Sequence, residues 1–290
     1  MLIWRRYIMK IYSIKAGDEI HVAVEGKNGL VDATNAGLIY TLEEIISGKG
    51  MDLLRTIAGE EDLMPVENPV YAPVAGKDAK LLCIGLNYAA HAEGMKDEIV
   101  ATPTIFSKFS NALAASGSDV FLPPWEETYD YEAELVAVIG KKTWNVGVDR
   151  AMDCIFGYTC GNDLSCRSPQ KRSSQWLIGK TMPGFAPCGP CIVTKDSFNP
   201  YESVSIRSYV NGELRQDGRT SDMLYGVAEL ISYASRYVCF EPGDLIFTGT
   251  PSGVVMEKVR DERVWLKAGD TVDVVIDGIG TLTNRFVGEK

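Results

Sequence analysis

The chain has 290 residues, 46% of them hydrophobic and 23% charged, and carries a net charge of −10. That length buries a substantial core, as one large domain or as a small one joined to a large one. The acidic balance, with no basic cluster beyond Trp4-Arg5-Arg6, argues against a nucleic-acid or anionic-membrane partner, and no apolar run reaches the ~18 residues of a membrane span.

Residues 1–8 lack the apolar core of a signal peptide. They read as an extension, poorly ordered, ahead of the strand-like Met9-Lys10-Ile11-Tyr12. A cytoplasmic location is expected, since the seven cysteines are odd in number and mostly lie among apolar neighbours, like small hydrophobes in a reducing compartment. Cys188-Gly189-Pro190-Cys191 has the spacing of a redox pair or half a zinc site, but no second half exists and Gly-Pro equally makes a turn.

Residues 1–75 read as a small α/β accessory domain. Residues 20–24 alternate like a strand, 25–29 make a turn, and 30–32 return as a hairpin arm, with His21 on the strand surface. Thr41 with Glu44 three residues on is a helix-capping pair, and a second helix covers 51–58. Residues 65–77, rich in Pro and Gly, form a linker.

The main domain, 76–290, opens with a buried strand at 79–85 that runs into a helix-like segment holding Tyr88, His91 and Glu93. Residues 103–109 form another strand and 116–119 a turn. At 129–140 a strand carries Glu132, Glu134, Val136 and Val138 on one face and Tyr131, Ala133, Leu135, Ala137 and Ile139 on the other. Both faces are mostly apolar, which suits a strand covered on both sides. Two adjacent carboxylates at its mouth repel each other and resist desolvation. A hard divalent cation with oxygen ligands relieves both penalties, while the alternative is a frayed strand end facing water.

Further on, Asp163 sits where an apolar strand gives way to a polar loop, and Lys180 lies in an apolar, glycine-flanked setting. Asn211-Gly212 between two strands is a hairpin signal. Helical spacing over 223–238 starts at Thr220-Ser221-Asp222 and stops at Glu241-Pro242-Gly243-Asp244. Residues 245–253 read as a buried strand breaking into a loop of hydroxyls and amides, and a last hairpin pairs 271–276 with 280–286. Neither a phosphate loop nor a dinucleotide fingerprint occurs.

Taken in order, Gly85-Leu86-Asn87-Tyr88 with His91, Tyr131-Glu132-Ala133-Glu134-Leu135, Asn162-Asp163 with Arg167 and Gln170, Gly179-Lys180 with Gly184-Phe185-Ala186-Pro187, Val210-Asn211-Gly212-Glu213, Glu241-Pro242-Gly243-Asp244 and Thr248-Gly249-Thr250-Pro251 resemble the fumarylacetoacetate hydrolase family over residues 79–286. The resemblance implies an α+β, mainly β fold, a mixed β-roll or β-sandwich with a smaller N-terminal domain, assembled as a homodimer. It implies Mg²⁺ or Mn²⁺, with Ca²⁺ possible in vitro, on Glu132, Glu134 and Asp163. Catalysis would fall to His91 and Lys180, and substrate binding to Arg167, Gln170, Thr250 and Tyr88. In the family a glutamate commonly stands three residues after this histidine. Here position 94 is Gly, so Glu93 is the expected partner of His91.

The implied activity is hydrolysis of a C–C bond in a 1,3-diketo acid of the acylpyruvate or fumarylpyruvate type. The alternative is decarboxylation or enol–keto isomerisation at the same site, of the oxaloacetate decarboxylase or 2-hydroxyhepta-2,4-diene-1,7-dioate isomerase type. A binding protein without catalysis is a third reading. The donor set agrees with the class. Carboxylates without imidazole or thiolate select a hard ion, and such an ion stabilises an enolate.

Overall fold

The computed structural model describes residues 8–95 and 101–288. The expected extension at 1–8 therefore lies, but for Ile8, outside the described residues. The chain begins with an antiparallel meander, β1 (Lys10–Ala16), β2 (Glu19–Gly26) and β3 (Gly29–Asp32), followed by α1 (Leu42–Ile46) and α2 (Met51–Gly59). Then come β4 (Leu81–Gly85), α3 (Ala89–Met95), β5 (Thr104–Lys108), β6 (Leu113–Ala115), β7 (Asp119–Phe121), β8 (Tyr129–Asp130) and β9 (Ala133–Ile139). The middle supplies α4 (Val148–Ala151), β10 (Ile155–Asn162), β11 (Ser165–Cys166), α5 (Arg167–Gln170), α6 (Leu177–Lys180) and β12 (Ala186–Thr194). The last third holds β13 (Ser205–Val210), β14 (Glu213–Arg219), α7 (Val227–Ser235), β15 (Leu245–Phe247), β16 (Thr271–Ile276) and β17 (Gly280–Val287).

Among the described residues, one ten-stranded sheet runs β3-β2-β1-β12-β10-β9-β15-β4-β5, with β6 also on β12. A five-stranded sheet runs β14-β13-β16-β17-β7, and β8 pairs with β11. Most pairs are antiparallel, while β15–β4, β12–β6 and β17–β7 are parallel. The fold is α+β and mainly β, as expected.

β9 lies inside the large sheet, between β10 and β15, and every one of its residues is buried. Its two faces serve two cores. Leu135, Ala137 and Ile139 pack with Ile206, Val274 and Leu282 of the smaller sheet and with Leu230 and Ile231 of α7. Val136 and Val138 pack with Leu245 and Phe247, and with Ile11, Val24, Leu54 and Ile57 of the N-terminal segment. Because β1 pairs with β12, the boundary near residue 75 separates stretches of chain that share one sheet and one core.

Local signals explain most elements. Thr41 and Glu44 form the capping box of α1. Asn211 and Gly212 take the positive φ values of 53° and 81° that a tight hairpin turn demands. Two expectations fail. The helix expected from Thr220 begins only at Val227, because the preceding backbone is used elsewhere: Met223 bridges to Tyr88, and the N–H groups of Leu224 and Tyr225 donate to Asn87. His21 is buried rather than on the surface, its Nδ1 2.8 Å from Asp32 Oδ2, and this contact raises its pKa above the ordinary value. The Cys188 and Cys191 thiols are free and buried in β12, and burial pushes the Cys191 thiol up to about 12.

Candidate active site

Strand register brings the three carboxylates together. In the β9–β10 pair, Gly161 lies opposite Glu134 and Asn162 opposite Ala133. Asp163, one step past β10, therefore meets Glu132, one step before β9, and its N–H donates to the Glu132 carbonyl at 2.9 Å. One oxygen from each of Glu132, Glu134 and Asp163 lies within 4.8 Å of the others, and all three side chains are buried.

Three cations surround this cluster. Lys180 Nζ stands 2.6 Å from Glu132 Oε2 and 2.7 Å from Asp163 Oδ2. Burial works to lower its pKa, but Asp163 and Glu132 carry it above the ordinary value, so it stays charged. Lys108, which the sequence reading passed over, is wholly buried and pairs with the other Asp163 oxygen. Its ammonium also donates to the carbonyls of Leu164, at 3.1 Å, and Phe185. Arg167 Nη2 lies 2.6 Å from Glu132 Oε1, its Nε donates to Asp130 Oδ2 at 2.9 Å, and its Nη1 donates to Gln170 Oε1 at 3.1 Å.

The carboxyls are consequently polarised. For Glu132 burial works upward, but Lys180, then Arg167 and His91, hold its pKa well below the usual range. Glu134 is pushed the other way, first by burial and then by Asp163 and Glu132. Its Oε2 accepts from the Gly249 N–H at 2.8 Å.

A cavity of about 260 Å³ opens over this cluster. Glu132, Glu134, His91, Arg167, Gln170, Lys180 and Thr250 line it, and Ile84, Met95, Phe106 and Trp176 supply apolar wall. Asp163 lies beneath, bonded to both lysines. Gln170 offers its amide nitrogen, its oxygen being held by Arg167. The Thr250 hydroxyl donates to the Ala133 carbonyl at 2.8 Å and accepts from Gln216 Nε2 at 2.7 Å, so it fastens the loop to β9. Gln216, another residue missed in the sequence, also accepts from Ala133 N–H and Ser208.

Two expected residues stand elsewhere. Tyr88 is buried and does not line the cavity. Glu93 is exposed and does not meet His91. On helix α3, residues two apart point to different sides. The carboxylate hydrogen-bonded to His91 Nδ1 is Glu257, 166 positions away.

The site fits a divalent cation. Its triad offers oxygen donors alone, as a hard ion requires. Burial, Asp163 and Glu132 all disfavour the ionised form of Glu134, a penalty that a cation shared by the three carboxylates would offset.

Comparison with known proteins places the chain in a family. Residues 80–287 match the family described as Fumarylacetoacetate (FAA) hydrolase C-terminal. The "Oxaloacetate tautomerase FAHD2A, mitochondrial" of Homo sapiens is 39% identical over 236 residues, covering 80% of this chain and 74% of that protein. The "Fumarylacetoacetate hydrolase domain-containing protein 2 homolog" of Dictyostelium discoideum is 39% identical over 233 residues, covering 77% and 75%. Among solved structures, the fumarylacetoacetate hydrolase of Exiguobacterium antarcticum superposes with a TM-score of 0.83 at 31% identity, over 97% of this chain and 100% of that one. The 2-hydroxyhepta-2,4-diene-1,7-dioate isomerase of Mycobacterium marinum gives 0.76 at 31%, over 97% and 99%. The carboxylate cluster, the fold around it and these likenesses together establish that the chain belongs to the fumarylacetoacetate hydrolase family.

Proposed function

We propose that this chain is a divalent-metal-dependent enol–keto tautomerase of a small 2-oxo diacid of the oxaloacetate class, holding Mg²⁺ or Mn²⁺ on Glu132, Glu134 and Asp163. The observation that carries this reading is that His91, with its own carboxylate partner, faces the same small cavity as Glu132, Glu134, Arg167 and Lys180. Similarity to an oxaloacetate tautomerase and to a dienedioate isomerase supports it.

The ion, when bound, supplies Lewis-acid polarisation of the 2-oxo group. His91 removes the proton from the neighbouring carbon and the carbonyl oxygen takes one in exchange, so mass is unchanged. Lys180 keeps Glu132 and Asp163 in place and adds positive charge beside the developing oxyanion. Arg167 braces Glu132 against Asp130, and Gln170 presents an amide donor to a substrate carboxylate. The apolar wall of Phe106 and Trp176, whose ring centroids are 5.3 Å apart, limits water at the reacting carbon.

The second reading is hydrolysis of an acylpyruvate-type C–C bond, favoured by the same His91–Glu257 pair, which is equally suited to activating a water. Decarboxylation uses the same enolate chemistry, and a binding protein without turnover is the remaining reading. Product masses decide among them. Incubated with oxaloacetate and acylpyruvate plus Mn²⁺, the protein is expected to interconvert enol and keto oxaloacetate without change of mass, and Glu132→Ala to abolish this. Two acid products from acylpyruvate identify a hydrolase, CO₂ a decarboxylase, and binding without turnover a binding protein. Homodimer assembly and residence in a reducing compartment, such as the cytoplasm, belong to the same proposal; the unpaired state of all seven cysteines supports the latter.

A further inference from the structure

We propose that Trp176 is a specificity-determining residue of this site: its indole, seated in the notch left by Gly85, shortens the cavity so that four-carbon 2-oxo diacids fit and longer ones do not. The proposal rests on the reading of the cavity as an oxo-acid site. In the β4–β5 pair, Gly85 stands opposite Thr104, on the face that also carries Phe106 and Lys108. The indole meets that face where a side chain is missing. A Cβ at position 85 would lie 2.5 Å from Trp176 Cζ3 and 2.9 Å from Cη2, closer than carbon atoms pack. Trp176 also meets the Phe106 ring edge-on, and Lys180 Nζ lies 4.8 Å from the centroid of the same ring. Trp176 has helical dihedral angles and precedes Lys180 by four residues, so the two share one side of α6. One wall of the cavity therefore runs from the ammonium that holds Glu132 and Asp163, across Phe106, to the indole.

This wall has little room to give. Gly179 seats α6 directly on α5: a Cβ there would stand 2.5 Å from Gln170 N and 2.6 Å from the Cys166 carbonyl oxygen. The start of α5 is fastened in turn to the loop before β8. The N–H groups of Arg167 and Ser168 donate to the Thr128 carbonyl, at 2.9 Å, and hydroxyl, at 2.7 Å. Arg172 Nη2 pairs with Glu126 Oε1 at 2.7 Å. The segment that carries Trp176 is thus anchored before and after it, and the β4 backbone blocks retreat of the ring. A substrate held at the carboxylate triad by its 2-oxo acid end meets a fixed indole, and extra carbons are rejected by collision. The cavity volume of about 260 Å³ agrees, since pockets for larger ligands run to roughly 300–1,000 Å³.

A homologous series tests this. The Mg²⁺-loaded protein is titrated calorimetrically with straight-chain 2-oxo diacids of four to seven carbons. Wild-type affinity is expected to fall at least about tenfold from the shortest to the longest. In Trp176→Ala, and in the milder Trp176→Leu should the former fold poorly, the fall is expected to shrink below about threefold. Gly85→Ala supplies an independent check, because its new methyl group must displace the indole. It is expected to weaken binding of the four-carbon acid in the wild type and to have no effect in the Trp176→Ala background. The same length profile in wild type and Trp176 variants, an equal effect of Gly85→Ala in both backgrounds, or no binding of any member would overturn the proposal.

Turnover gives the second readout. The ratio of kcat/KM for oxaloacetate to that for 2-hydroxyhepta-2,4-diene-1,7-dioate is expected to shift at least about tenfold toward the longer acid in Trp176→Ala; an unchanged ratio contradicts the assignment. A wild type that binds the series by length but turns over no oxo acid defeats the tautomerase reading while upholding Trp176 as the residue that limits length.

Discussion

Lys108 carries more of the site than its place in the sequence suggests. Its ammonium has no exposure and answers Asp163 and two buried carbonyls at once. Replacing it with Met leaves a buried carboxylate oxygen and two carbonyls without that donor. Lys108→Met is expected to destabilise the protein by about 3–5 kcal/mol in urea unfolding at neutral pH. A loss below about 1 kcal/mol, the scale of an exposed pair, would mean that water reaches Asp163.

Glu132, Glu134 and Asp163 could be singled out in the sequence because paired carboxylates beside apolar runs are costly without a partner. Lys108 could not, because a lysine ending a strand is ordinary until the fold brings Asp163, Leu164 and Phe185 to it. Glu257 left one trace: a glycine where the helix face next to His91 lacks a carboxylate. That absence called for a search of the whole chain, whereas Glu93 is adjacent in sequence but on the wrong side of a 3.6-residue turn.

At the scale of elements, Asn87 joins the exits of three. Its side-chain nitrogen donates to the carbonyls of Tyr225, at 3.0 Å, and Thr248, at 2.7 Å, while its side-chain oxygen accepts from Tyr225 N–H at 2.9 Å. It thus connects the end of β4, the end of β15 and the approach to α7. Gly249 must approach this residue closely: a Cβ there would lie 2.7 Å from Asn87 Cβ, and its φ of +96° suits glycine. Asn87→Ala removes both ends of this network. The expected cost is about 2–3 kcal/mol, from backbone groups left unpaired, with activity falling because Thr250 and His91 flank the displaced loops. Urea unfolding together with kcat measures both, and wild-type stability in Asn87→Ala would show that the loops are held elsewhere.

The same residue explains why α7 starts late. Periodicity over 223–238 marks an apolar helical face, but pattern alone does not reveal that the N–H groups of Leu224 and Tyr225 are already bonded to Asn87. Hairpins were legible because their signals are local: Asn211-Gly212 states its own turn. The edge of β12 was not, since its pairing with β1 joins residues 10–12 to 191–193.

Across the whole molecule, the large sheet sets the site and the smaller sheet packs against the other face of β9. β9 is buried on both faces, so its register with β10 cannot slip by one residue without turning a core face inside out. That same register fixes Glu134 opposite Gly161 and brings Asp163 to Glu132. Stability and chemistry therefore rest on one strand pairing. The helices supply the basic partners: α6 ends on Lys180, α5 begins with Arg167, and α3 carries His91.

The family and the mainly β architecture were readable because their motifs fall in order along the chain, and the comparisons agree on both. The reaction was not readable from those motifs, because a metal-stabilised enolate serves hydrolysis, decarboxylation and tautomerisation alike. Only the contents of the cavity and the fate of the carbon separate them.

The most direct test of the account is the rate of oxaloacetate enol-to-keto conversion by chelator-stripped protein, with and without added Mn²⁺, for the wild type and Glu134→Ala. The account predicts little acceleration by the stripped wild type, restoration of at least about 10²-fold on adding Mn²⁺, and no restoration in Glu134→Ala. Full activity in stripped protein, or equal Mn²⁺ activation of Glu134→Ala, would contradict the carboxylate triad as the seat of the reaction.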